Sequence, residues 1–292
     1  MKLRKALRQY RGHKGSLAVR LLLYGSAVFT IGLLLFLIAY ILVKGIAHLT
    51  PELFAWKYTS ENVSMLPSMI NTLLMTGLTL LLAVPVGVGA AIYMTEYAKT
   101  GSKLVKVVRI TTETLQGIPS IVYGLFGFLF FVIACGWDYS LLSGVCTMAI
   151  MVLPLIMRTT EEALLAVPDT YREGSFGLGA GKLRTIFSIV LPSAVPGILS
   201  GVILAVGRIV GETAALIFTA GTYAAVPTSL FSSTRTLSVH MYALLNEGLY
   251  MDQAYATAVV LLVVVIGINC LSGAMAKKFA GGAKKDEYVF DS

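Results

Sequence analysis

The sequence predicts an all-α membrane protein with six transmembrane helices. Of its 292 residues, 57% are hydrophobic and only 13% charged, and the mean hydropathy is +0.80. A soluble domain carries about twice that charge. Uncharged apolar runs also recur along the chain, each near the about 20 helical residues that cross a roughly 30 Å hydrocarbon core.

The first span is the uncharged run Leu21–Val43, which follows Lys2, Arg4, Lys5, Arg8, Arg11, Lys14 and Arg20 with no intervening acid. It is too long for a signal-peptide core and lacks a small-residue cleavage site, so it is expected to be retained. The second lies within Asn71–Met94, where Pro85, Gly87 and Gly89 permit a kink and close helix contact. The third runs from about Gln116 to Cys135, with Pro119 near its start as a kink. The fourth runs from Tyr139 to Met157, with Gly136, Trp137 and Asp138 as the turn before it. The fifth starts near Pro196, and the sixth covers Ala254–Ala276. The chain thus divides into a basic tail (1–20), a transmembrane domain (21–278) containing a loop at 159–192, and a C-terminal tail (279–292). The segment 223–253 is expected to lie outside, with a short amphipathic helix.

Charge placement orients these spans. Of the 23 Lys and Arg, nineteen fall in the first tail, at 99–109, at 158–184 or at 277–285; Lys44, Lys57 and Arg235 fall on the other side, and Arg208 lies inside a span. By the positive-inside rule both termini are cytoplasmic. The same placement, at span ends, argues against nucleic acid as the reason for the net charge of +8. Cys135, Cys146 and Cys270 have no metal-ligand spacing and read as apolar packing residues. His13, His48 and His240 read as interfacial side chains. No nucleophile–base or metal constellation that a membrane enzyme needs is present.

The loop at 159–192 contains EGSFGLGAGKLRTIFSIVLP, from Glu173 to Pro192. Pro168 suits a first helical turn, and Gly177, Gly179 and Gly181 allow the left-handed backbone that ends a helix, so a helix, a break and a second helix are expected. Gly181-Lys182 is not a phosphate-binding loop, because Phe176 and Leu183 stand where Gly and Ser or Thr are required. No dinucleotide fingerprint survives either, so the chain shows no ATP site of its own.

At this segment the chain resembles the permease subunits of bacterial ABC importers. Their loop pattern is E-A-A, three residues, G, nine residues, I, any residue, L, P; Glu173, Gly179, Ile189, Leu191 and Pro192 match it, with Gly174 and Ser175 in place of the two alanines. The resemblance implies a type I importer fold in a bacterial inner membrane. It also implies a coupling helix, carried by these seven residues, that docks on a separate ATPase dimer where ATP-Mg is bound, this chain binding no cofactor.

The fifth span, GILSGVILAVGRIVGETAALIFTAG, holds Arg208 and Glu212 in an otherwise apolar run. A charge at mid-membrane costs at least about 2.5 kcal/mol and so faces a bundle interior or an aqueous path. Four residues apart on one helix, the two are expected to face the same way and neutralise each other. They read either as a register-fixing ion pair or as a site where Arg208 offers a planar fork to an oxyanion, with Glu212 orienting it and Thr213 beside them.

RIVGETAALIFTAG, with IPSIVYGLFGF at Ile118–Phe128 and LPLIMRTTEEAL at Leu153–Leu164, is similar to the A-type permeases of phosphate-specific ABC importers. That likeness implies a C-type permease partner, two ATPase copies, an extracytoplasmic phosphate-binding protein, and phosphate as the ligand. A permease for sulfate or molybdate, or a secondary anion transporter, stays open as an alternative.

Overall fold

The computed structural model describes residues 14–99 and 101–287. Within them the chain forms ten longer or α-type helices, a single 3-10 turn at Pro51–Phe54 and no strand. They are α1 (Lys14–Ile46), α2 (Leu66–Tyr97), α3 (Lys103–Gln116), α4 (Ser120–Ala134), α5 (Leu141–Leu165), α6 (Asp169–Gly177), α7 (Lys182–Gly211), α8 (Ala214–Thr219), α9 (Leu237–Glu247) and α10 (Met251–Glu287). Residues 1–13 of the basic tail, with His13, and residues 288–292 of the C-terminal tail lie outside the described residues.

Five helices are long and apolar enough to span a membrane, and α3 with α4 makes a sixth if the bent pair is one span. The expected third span begins later than Gln116, because Gly117, Ile118 and Pro119 separate two helices inclined at 104°. Pro119 sits at the N-cap of α4 with extended backbone, as the missing N–H and ring of proline dictate. Most of the basic stretch 99–109 is helix, the start of α3. The fifth span is corrected at its other end. It starts at Lys182 rather than Pro196, because α7 runs unbroken through a widened turn at Ile186–Val190.

α5 is the centre of the fold. Two thirds of its apolar stretch (67%) is buried, against none of the corresponding stretch of α1. It packs chiefly against α2 and α7, and Met75, Met148, Val152, Ile156, Ile209 and Leu216 form the main core. Gly201 lets α7 approach the Thr159 side chain of α5 so closely that a methyl group there would overlap it. α1 contacts α10 and otherwise presents Leu, Phe and Val side chains outward, as lipid requires. The segment 223–253 contains the short helix α9, as expected.

Two side-chain expectations fail. His240, on α9, is fully buried rather than interfacial; burial and the neighbouring Arg235 charge pull its pKa down to about 3, so it is neutral. Cys135 and Cys270 are exposed on this chain rather than packed within it, and all three cysteines are free thiols.

Candidate functional site

Two places combine unusual backbone with charge, and α2 and α5 connect them. The first is the segment with the loop pattern, Glu173 to Pro192. Pro168 caps α6, Asp169 places a negative charge in its first turn, and the helix closes at Gly179, whose φ is +82°. The Gly179 N–H donates to Phe176 and the Ala180 N–H to Ser175, so the last carbonyls are satisfied. α7 then begins with Gly181 at its N-cap.

The seven residues of the loop pattern divide into two groups. Glu173 and Gly174 are exposed, and Leu178 beside them is 91% exposed, so these form a surface open to a docking partner. Ser175 is buried, its hydroxyl 2.8 Å from that of Thr185 across the break. Leu191 packs with Ile186, Val190 and Ala194 against Ala91 and Leu164, while Ile189 is half-buried and Pro192 exposed.

Sequence reasoning missed the residue that holds this segment in place. The Arg172 guanidinium donates to Glu96 at the end of α2 (Nη2–Oε1 2.7 Å), to the Leu164 carbonyl of α5 (3.0 Å), to the Val167 carbonyl (2.9 Å) and to Asp169 (3.1 Å). The Glu96 side chain is 8% exposed and that of Arg172 15%. One cation therefore joins the ends of α2, α5 and α6. Seventy-six residues separate Arg172 from Glu96, and the only clue was an isolated acid within a basic stretch. A second pair, Arg109 Nε to Glu161 (2.7 Å), ties α3 to α5 in the same region.

Removing one partner of a buried pair strands the other's charge and costs about 3–5 kcal/mol. Arg172→Gln should therefore loosen α6 without removing it from the protein. The expected result is faster amide hydrogen exchange across 169–181 and slower transport, with exchange in the α5 centre unchanged. Parental exchange across 169–181 would refute the latch.

The second place is the end of α7. Arg208 is in the last turn, but the helix stops at Gly211, and Glu212 has extended backbone (φ −73°, ψ 129°). The expected i, i+4 ion pair therefore does not form: the Glu212 carboxylate accepts the Ala215 N–H at 3.1 Å and caps α8 instead. The Glu212 side chain is buried, and its carbonyl accepts the Ser238 hydroxyl at 2.6 Å. Arg208 is half-buried, and among the described residues no carboxylate lies within ion-pair distance. Thr213, at the break itself, is half-buried. A span interrupted beside an unneutralised cation can hold an anion at membrane depth.

Comparison with known proteins places this architecture. The family described as "Binding-protein-dependent transport system inner membrane component" matches residues 83–280. The chain is 32% identical over 251 residues to the "Probable ABC transporter permease protein YqgI" of Bacillus subtilis (strain 168), covering 80% of this chain and 85% of that protein. It is 32% identical over 278 residues to the "Phosphate transport system permease protein PstA" of Yersinia pestis, covering 93% of each. Among solved structures, a bacterial ABC transporter involved in the import of the acidic polysaccharide alginate superposes with a TM-score of 0.65 over 95% of this chain and 99% of that one. At 18% identity this similarity supports the fold alone.

Proposed function

Because the chain belongs to the binding-protein-dependent transport system inner membrane component family, we propose that it forms half of the membrane pathway of an ABC importer for inorganic phosphate. It is an integral membrane permease subunit that works with other permease and ATPase subunits. In the proposed assembly these are a C-type permease and an ATPase dimer that holds ATP-Mg, served by an extracytoplasmic phosphate-binding protein. Both termini and α6 face the cytoplasm, where the cations concentrate.

The observation that carries the reading is the half-buried Arg208, with no carboxylate partner among the described residues, at an interruption of a span. A guanidinium offers two parallel N–H groups to one oxyanion and stays charged at any working pH. Likeness over nearly the whole length to a phosphate permease favours phosphate among tetrahedral oxyanions. The latch at Arg172 supports the way energy enters. Movement of α6 by the ATPase pulls the ends of α2 and α5 together with it, and rigid helices carry that displacement about 48 Å to the other face.

The test is uptake of labelled phosphate by vesicles containing the chain co-purified with its partners. Uptake is expected to require ATP and to be displaced by unlabelled phosphate but not by sulfate or molybdate at equal concentration. ATP-independent uptake would indicate a secondary transporter, and displacement by sulfate a different oxyanion.

A further inference from the structure

At the ends of α2 and α5 opposite the coupling helix, a pocket of about 610 Å³ opens to the surface. Its lining includes Trp56, Lys57, Tyr58, Ala224, Arg235 and Glu247. Arg235 is 4% exposed, and its Nε and Nη2 are buried with no hydrogen-bond partner. Its guanidinium lies over the Tyr58 ring, 4.7 Å from the centroid. Glu247 is exposed, and no ion pair to Arg235 forms among the described residues. A buried guanidinium with unmade bonds is costly, and burial works against its charge.

The backbone around Arg235 is held firmly. Its carbonyl accepts from Asn71 of α2 at 3.1 Å, the Leu237 N–H donates to Thr72 at 2.8 Å, and the Ser238 hydroxyl donates to the Glu212 carbonyl at 2.6 Å. The Arg235–Ser238 stretch therefore runs from the pocket to the interrupted span. Two cations, Lys57 at the rim and Arg235 within, line the pocket.

The geometry points to an oxyanion site in this pocket, where Arg235 and Lys57 receive phosphate at the outer face before it reaches Arg208. This site rests on the phosphate-import reading. Arg235 supplies donors that have no partner in the protein, Lys57 supplies a mobile charge, and the Tyr58 ring holds the guanidinium when the site is empty. Glu247 opposes an anion at the rim and favours its departure inward.

The test uses the assembled complex carrying Ala224→Cys, inorganic phosphate as the probe, an uncharged maleimide as the reagent, and no binding protein. Modification is read at the peptide containing position 224, which separates it from Cys135, Cys146 and Cys270. At a phosphate concentration about ten times the half-protecting value, modification should slow about tenfold, because only the empty pocket reacts. Adding Arg235→Gln should abolish the protection, and Arg235→Lys should keep part of it. Lys57→Gln, at an exposed position that does not threaten folding, should raise the half-protecting concentration. An unchanged rate with phosphate, or full protection in Arg235→Gln, overturns the site. So does protection by phosphate-free binding protein alone, which would make the pocket a protein-docking surface. A parent complex that imports phosphate without protection rejects the pocket only; one that does neither rejects the phosphate reading and the pocket with it.

Discussion

Phosphate uptake by an Arg208→Gln complex falls by about a hundredfold or more, because two charge-assisted hydrogen bonds to an oxyanion are worth roughly 3 kcal/mol together at the least. Recovery of the complex from membranes stays parental. Among the described residues no carboxylate is paired with Arg208, so the substitution strands no opposite charge. Arg208→Lys keeps the charge and loses the planar fork, and uptake falls about tenfold, one such bond's worth. Glu212→Gln keeps an acceptor for the Ala215 N–H and is mild; Glu212→Ala removes the cap at a cost of about 1 kcal/mol. The Arg208→Gln/Glu212→Gln double variant should show the sum of the single effects. Parental uptake by Arg208→Gln, or rescue by the double variant, would overturn the pathway role.

Gly179→Val lowers transport and transport-stimulated ATP hydrolysis together, by about tenfold. At φ +82° a side chain meets its own backbone, which costs about 1–2 kcal/mol for most residues and more for a β-branched one. The space around Gly179 is open, so no neighbour is displaced. Asn tolerates the left-handed region, and Gly179→Asn should therefore keep most of the activity. Equal losses in the two variants, measured at equal complex recovery, would shift the cause from backbone geometry to steric exclusion of the docking partner.

The sequence revealed what local chemistry encodes. Apolar run lengths located the spans, Pro168 and Gly179 bounded the coupling helix, and Pro119 marked a bend. It misled at Glu212, because a uniformly apolar run shows no period that would betray a helix end, and Gly211 alone is compatible with continuation. It was silent about Arg172 and Glu96, since nothing in either residue's neighbourhood names a partner 76 positions away. The burial of His240 was equally hidden, being set by how α9 folds back over Tyr58 and Val63.

The first helix has a consequence for biogenesis. Its chief partner is the last, with Tyr40 and Tyr255 in edge-on contact and Gly45 against the Tyr255 backbone, 215 and 210 positions apart. During synthesis α1 leaves the ribosome long before that partner exists. Its mean hydropathy of 2.6, higher than that of α2, α5, α7 or α10, lets it reside in lipid alone until α10 arrives. Closure of the two chain ends is therefore a late assembly event, and nascent chains truncated before α10 should hold α1 in the bilayer undocked from the bundle.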